Sequence, residues 1–128
     1  MLKSKYISDI LVLLLDEDNE GLLARQQLPF IAEGNFDYTG GGLFVYFSHS
    51  EGIANYKLNK QDLILNGVKI QTTEDSIEAE ATLFFKDGLI DYLEIWCYLG
   101  DYPNQDLTKY TLPQVWKNST NKTISTEN

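Results

Sequence analysis

The chain has 128 residues, 43% of them hydrophobic, which suits one globular domain that buries roughly two-thirds of its unfolded surface. Its 19 acidic residues outnumber 10 lysines and arginines, so the formal net charge is −9. This sign excludes the basic footprint that nucleic acid needs and disfavours an anionic membrane surface. A cationic protein partner remains compatible, although a charge surplus alone also serves solubility.

The N-terminal segment is apolar only from Ile10 to Leu15, and acidic residues follow at once. A run of this length is too short to cross a bilayer, and no small-residue cleavage site follows it. We therefore expect a cytoplasmic protein. A single cysteine, Cys97, cannot form an internal disulfide and is expected to be buried and unreactive.

Two helices are predicted next to the N terminus. Apolar residues recur at helical spacing over residues 4–15, and a second helix is predicted over 21–28, ended by Pro29. The acidic residues between them, 16–20, lack the spacing and interior glycine of a calcium loop, so we expect them to be solvated. No metal ion or cofactor is predicted.

The remainder is predicted to form three β-hairpins. In the first, strands 30–38 and 43–48 flank a glycine-rich turn, and in the second, 61–72, Asn66-Gly67 is a two-residue turn that pairs Leu65 with Val68. Helices followed by hairpins predict an α+β fold, with two N-terminal helices packed on a largely antiparallel sheet of about six strands. Residues 1–116 are expected to form this single domain and residues 117–128 a polar, flexible tail.

The third hairpin, residues 76–98, has two chemically different faces. Lys86-Asp87-Gly88 is predicted to be a three-residue loop with Gly88 at positive φ, which sets Phe85 opposite Leu89. One face is then apolar except for Asp91 and belongs in the core. The other face, to which Ile90 is assigned, mixes carboxylates with large aromatic rings.

This second face is predicted to bind a partner, unless the protein itself covers its aromatic rings. Aromatic rings supply apolar contact area and carboxylates supply the sign of the charge. Facing glutamates make self-association through it unattractive, and the oligomeric state is left open. The predicted partner-binding residues are Glu78, Glu80, Phe84, Tyr92, Glu94, Trp96, Tyr98, Asp101 and Tyr102.

Three motifs resemble those of a group of small bacterial proteins. The group has a helical L-R-x-Q-L, a T-G-x-G-F strand entry and a late D-G-x-I-x-x-L-E hairpin. The matching segments here are residues 21–28, 38–45 and 85–95, with Leu43 where an aromatic residue is usual and no gap between Arg25 and Gln26. Some members resemble immunity proteins, which neutralise a toxin made by sibling cells. The resemblance spans residues 21–102 and implies stoichiometric binding of a toxin.

Catalysis finds little support in the residues. His49 is the only histidine, and its neighbours Ser48 and Ser50 point to the opposite side of an extended strand. The glycine run precedes a strand, whereas a phosphate-binding loop precedes a helix. Glu80 and Glu94, which the predicted register places opposite each other, would lack the enclosed cleft that keeps one carboxyl protonated.

The sequence therefore favours a non-enzymatic binding protein, specifically an immunity protein that neutralises a cationic toxin such as a nuclease. A second hypothesis is a small-molecule or peptide-binding domain with an aromatic pocket lined by Tyr46, Tyr92 and Trp96. A third is a slow enzyme built around His49.

Overall fold

The chain begins with two helices, α1 (Lys5–Leu14) and α2 (Asp18–Ala24), in the computed structural model, which describes residues 1–127. Ser4 caps α1, because its Oγ accepts a hydrogen bond from the Ile7 N–H at 3.1 Å. After α2 the chain tightens into a 3₁₀ helix, Arg25–Phe30, which contains Pro29. No helix within residues 1–127 is long and apolar enough to cross a membrane.

Seven strands follow and form one antiparallel sheet. The strands are β1 (Ile31–Tyr38), β2 (Gly42–His49), β3 (Ile64–Gln71), β4 (Glu78–Lys86), β5 (Leu89–Leu99), β6 (Thr111–Pro113) and β7 (Thr123–Ser125). Their order across the sheet is β1-β2-β5-β4-β3-β6-β7. The predicted α+β fold is confirmed, with one strand more than the expected six.

Helix α1 packs against β3 and β4 on one face of the sheet. Along the central strands β2, β3, β4 and β5, alternation sends about every second side chain to this face, where most of them are buried. On β4 and β5 the buried side chains are Ala79, Ala81, Leu83, Phe85, Ile90, Leu93 and Ile95. The opposite side of the sheet is called here the outer face.

The turn of the β4–β5 hairpin is shorter than predicted. Lys86 pairs with Leu89, so only Asp87 and Gly88 lie between the strands. Both have positive φ, 53° and 78° respectively, which fits a type I′ turn. The predicted three-residue loop is wrong, whereas the predicted positive φ of Gly88 is confirmed.

A β-bulge in β5 restores the predicted faces for most of this hairpin. Phe85 pairs with Ile90, but Phe84 pairs with Tyr92, so Asp91 is the extra residue. The two turn residues and the one bulged residue total three, which is the number of residues in the predicted loop. Beyond the bulge, the side chains therefore lie on the predicted faces. Ile90 nevertheless lies in the core, fully buried, and its assignment to the outer face is wrong.

The predicted turn at Asn66-Gly67 is also a bulge, inside the continuous strand β3. Gly67 has φ of 100°, and a Cβ there would lie 2.8 Å from the Cβ of Trp116. The bulge keeps Leu65 and Val68 on the core face, which is where the predicted hairpin also placed them.

The C-terminal segment, expected to be a flexible tail, forms part of the sheet instead. Residues 123–125 are strand β7, which pairs with β6. Lys122 Nζ lies 2.9 Å from the Asp16 carboxylate, and Gln114 Nε2 donates to the same carboxylate at 3.1 Å. Through Lys122 the segment is therefore held against Asp16, just after the end of α1.

We expect Asp16→Asn to remove part of the protein's stability at neutral pH. The hydrogen bond from Lys122 is the main cause that lowers the pKa of Asp16, which Gln114 and Arg25 lower further. Because the folded-state pKa is lowered, this stability is present above the unfolded pKa and is lost as pH falls through the folded one. The variant should lose about 1–2 kcal/mol at neutral pH.

Urea unfolding of both proteins over a series of acidic pH values measures this effect. The difference between wild type and Asp16→Asn should shrink as the solution becomes acidic. A difference that does not change with pH would show that the carboxylate charge does not hold the segment.

Candidate functional site

A row of large apolar side chains crosses the centre of the outer face. Tyr92 on β5 pairs with Tyr46 on β2 and with Phe84 on β4, and Phe84 pairs with Ile64 on β3. Four neighbouring strands thus contribute one side chain each. The row exists because the strand order places β5 between β2 and β4.

The rings of Phe44, Tyr46, Phe84 and Tyr92 form an aromatic cluster. The ring centroids of Phe84 and Tyr92 are 4.5 Å apart with planes inclined by 13°. Tyr92 also lies 5.6 Å from Tyr46 and 6.1 Å from Phe44. These separations are typical of favourable aromatic pairs, so the rings stabilise one another's packing.

Trp96 and Tyr98 extend the aromatic surface along β5. Their ring centroids are 5.5 Å apart, and the side chains are 57% and 40% exposed. On the β2 side, Trp96 pairs with Gly42, which has no side chain to cover the indole. The Trp96 side chain is therefore exposed to solvent on a central strand of the sheet.

Three glutamates lie on the outer face, two of them beside these rings. Along β5, Glu94 lies between Tyr92 and Trp96, and across the sheet it pairs with Thr82 on β4 and Phe44 on β2. Glu80, which is exposed, pairs with Trp96. The predicted direct opposition of Glu80 and Glu94 is wrong, because the two-residue turn and the bulge shift the register by two residues.

Glu78 completes the acidic set at the end of β4, where it pairs with Leu99. None of the four ion pairs found within residues 1–127 involves Glu78, Glu80 or Glu94. Lys69 pairs with Glu80 in strand register, but it too is absent from those ion pairs. The three carboxylates therefore face outward without an internal cation at contact distance.

The pKa of the Tyr92 phenol lies above its ordinary value. Burial is the largest cause of its raised pKa, and the charges of Glu94 and Asp91 raise it further. A negative potential that disfavours a phenolate favours a cation at the same place. The carboxylates of Glu94 and Asp91 thus contribute a negative potential at Tyr92.

The structure brings together most of the predicted binding residues but not all of them. Glu78, Glu80, Phe84, Tyr92, Glu94, Trp96 and Tyr98 share the outer face. Asp101 is exposed in the loop after β5. Tyr102 is wrong as a surface residue, because it is only 7% exposed and its hydroxyl lies 2.7 Å from that of Tyr6.

Three large outer-face residues were absent from the predicted partner-binding set: Phe44, Ile64 and Tyr46, which was named only for the alternative aromatic pocket. Tyr46 and Ile64 are 40% and 53% exposed. The alternation of β2, with Leu43 and Val45 buried, is a signal that could have placed Phe44 and Tyr46 on the outer face. Their contact with Tyr92, however, depends on the pairing of β2 with β5.

His49 and its polar neighbours form hydrogen bonds with backbone carbonyl groups. His49 Nε2 lies 2.5 Å from the Ile90 carbonyl oxygen, so this nitrogen carries the donated proton. Ser48 and Ser50 donate to other carbonyls, those of Ala32 at 3.4 Å and Phe30 at 3.2 Å. These contacts do not assemble a nucleophile with a base.

The three residues of the predicted aromatic pocket are not all direct neighbours. Tyr46 and Tyr92 are neighbours, but Trp96 lies further along β5, beyond Glu94. Five concavities of the described chain are lined by other residues, several of them in the loops at 72–76 and 103–109.

Metal-binding side chains do not cluster within residues 1–127: no group of three or more histidine, cysteine or carboxylate side chains there could hold an ion. Cys97 is half-buried rather than fully buried, and its Sγ donates to the Leu99 carbonyl at 3.2 Å. The thiol therefore packs at the edge of the core.

Comparison with known proteins gives no family assignment. No family model matches the chain, and neither a curated protein nor a solved structure matches it. The function of the outer face must therefore be inferred from its own chemistry.

Proposed function

We propose that this is a non-enzymatic binding protein whose outer face occludes a cationic protein. Its role would be that of an immunity protein in the bacterial cytoplasm, neutralising a basic toxin by stoichiometric binding. The observation that carries the proposal is the uncovered centre of the sheet, where the aromatic cluster and Trp96 are interleaved with three carboxylates.

The aromatic rings would supply most of the binding free energy. Tryptophan and tyrosine are over-represented among interface residues whose removal costs about 2 kcal/mol or more. Here they project from the central strands of a sheet, so they lose little conformational freedom when a partner covers them. Trp96, 57% exposed, has the most surface to lose.

The carboxylates would supply speed and selectivity. A protein of net charge −9 attracts a basic partner from a distance, and Glu78, Glu80 and Glu94 concentrate that attraction on the outer face. Toxins that act on nucleic acid carry basic surfaces for phosphate. An acidic face that covers such a surface blocks the toxin without any chemical step.

Trp96→Ala should weaken partner binding by about 2 kcal/mol, seen as roughly 30-fold faster dissociation. The partner is first captured on tagged protein from the cells that produce the chain, identified, and purified for kinetic measurement. It should be basic, should inhibit growth when expressed alone, and should be tolerated when the wild-type chain is co-expressed.

Leu22→Ala is the matched control, because Leu22 is a 48% exposed apolar residue on α2, away from the outer face. This variant should dissociate at the wild-type rate. Equal dissociation of the two variants, or a partner that is neither basic nor toxic, would contradict the proposed function.

A further inference from the structure

Each of two outer-face carboxylates lies beside aromatic rings. Glu94 lies on β5 between Tyr92 and Trp96, and Glu80 is the cross-strand partner of Trp96. The two glutamates are diagonal neighbours across β4 and β5, so their Cβ atoms are about 7 Å apart. This is about the separation of alternate residues in an extended peptide.

The pairing of ring and carboxylate distinguishes between the two cationic side chains. An arginine guanidinium is planar, so it can lie flat on an aromatic ring while its N–H groups point sideways to a carboxylate. A lysine ammonium is a compact and strongly hydrated charge without a flat face, so it gains less from contact with a ring and a carboxylate together. Cation–π contact with tryptophan is the most favourable of its type.

Resting on the proposed function, we propose that the outer face selects arginine over lysine. Two arginines of the basic partner would bind side by side, one at Glu94 between Tyr92 and Trp96, the other at Glu80 against the Trp96 indole. Both carboxylates are free of internal ion pairs among residues 1–127. Trp96 is the residue shared by the two positions.

The geometry of the sheet supports this assignment of Trp96. Gly42 opposite Trp96 on β2 leaves that side of the indole without a neighbouring side chain. On the β4 side the partner is Glu80, an exposed carboxylate. A planar cation can therefore reach the ring and the carboxylate together.

Two synthetic peptides of equal charge test the inference. One contains three arginines alternating with glycine, the other three lysines in the same positions, and both have blocked ends. Each is titrated into isotopically labelled protein at low salt while the amide and Trp96 indole signals are followed by NMR. The arginine peptide should bind about fivefold more tightly, with the largest shifts on the outer face.

Two variants test which side chains produce the preference for arginine over lysine. Trp96→Leu should bring the two affinities close to equality while the lysine peptide binds almost as before. Glu80→Gln with Glu94→Gln should weaken both peptides. Folding of each variant is checked by the dispersion of its amide signals.

The outcomes separate this inference from the proposed function. Equal affinities of the two peptides in wild type, both lowered by the glutamate substitutions, would overturn arginine selectivity and leave cation binding standing. A selectivity that survives Trp96→Leu would also overturn it. If neither peptide shifts outer-face signals, both the inference and the proposed function fail.

Discussion

Gln27→Leu is expected to lower the free energy of unfolding by about 3 kcal/mol. The Gln27 side-chain amide is fully buried and forms hydrogen bonds with backbone groups around the β5 bulge. Its Oε1 accepts from the Ile90 N–H at 2.8 Å, and its Nε2 donates to the carbonyls of Tyr56 at 3.0 Å and Gly88 at 2.9 Å. The Gly88 carbonyl keeps a second donor, the Leu58 N–H at 3.0 Å.

Leucine fills a similar volume but leaves the Ile90 N–H and the Tyr56 carbonyl without these partners, at about 1–3 kcal/mol each. Chemical denaturation measures the loss. Gln26→Leu, at the exposed neighbouring position, is the control and should change stability by no more than about 0.5 kcal/mol. Equal stability of the two variants would mean that the buried amide does not hold the bulge.

Gly42→Ala should be at least as damaging, at about 3 kcal/mol or more, because β2 and β5 approach too closely there for a side chain. Gly42 has φ of 153°, and an added Cβ would lie 1.9 Å from the Ile95 carbonyl oxygen. That oxygen belongs to the backbone of a central strand, so the strands themselves must move.

Gly41→Ala is a control one residue away, since a Cβ at Gly41 meets nothing within 4 Å. Thermal or chemical unfolding should show a large loss for Gly42→Ala and a small change for Gly41→Ala. Similar losses for both variants would contradict the close strand approach beside Trp96.

The sequence predicts the faces of the β4–β5 hairpin better than its turn. The two turn residues and the bulged residue together equal the three residues of the predicted loop. Alternation alone therefore assigns Phe84, Tyr92 and Trp96 to one face. The bulge itself depends on distant side chains, Gln27 and His49, which bond to the two backbone groups of Ile90. Local patterns carry no signal for such contacts.

The same reasoning explains the other differences. Leu65 and Val68 are buried whether Asn66-Gly67 is a turn or a bulge, so their burial was predictable although the topology was not. Strand β7 is short and polar, and Lys122, the residue before it, contacts Asp16 through its side chain and Gln114 through its backbone N–H. Tyr102 is buried through Tyr6, a contact between distant parts of the chain.

Only the part of the candidate site that lies on the β4–β5 hairpin could be predicted from the sequence. Its β5 aromatics follow from alternation, since every second residue faces outward. The aromatic cluster also needs Phe44 and Tyr46, which meet Tyr92 because β2 pairs with β5. That pairing joins segments about 50 residues apart, and strand order of this kind is not encoded in local periodicity.

The association rate of the purified partner with Glu78→Lys/Glu80→Lys tests the central claim most directly. This variant reverses two outer-face charges, whereas Glu51→Lys/Asp62→Lys makes the same charge change at exposed loop positions. At low salt the outer-face variant should associate about tenfold more slowly than the loop variant, and the difference should shrink at high salt. Equal rates for the two variants at low salt would contradict recognition through the outer face.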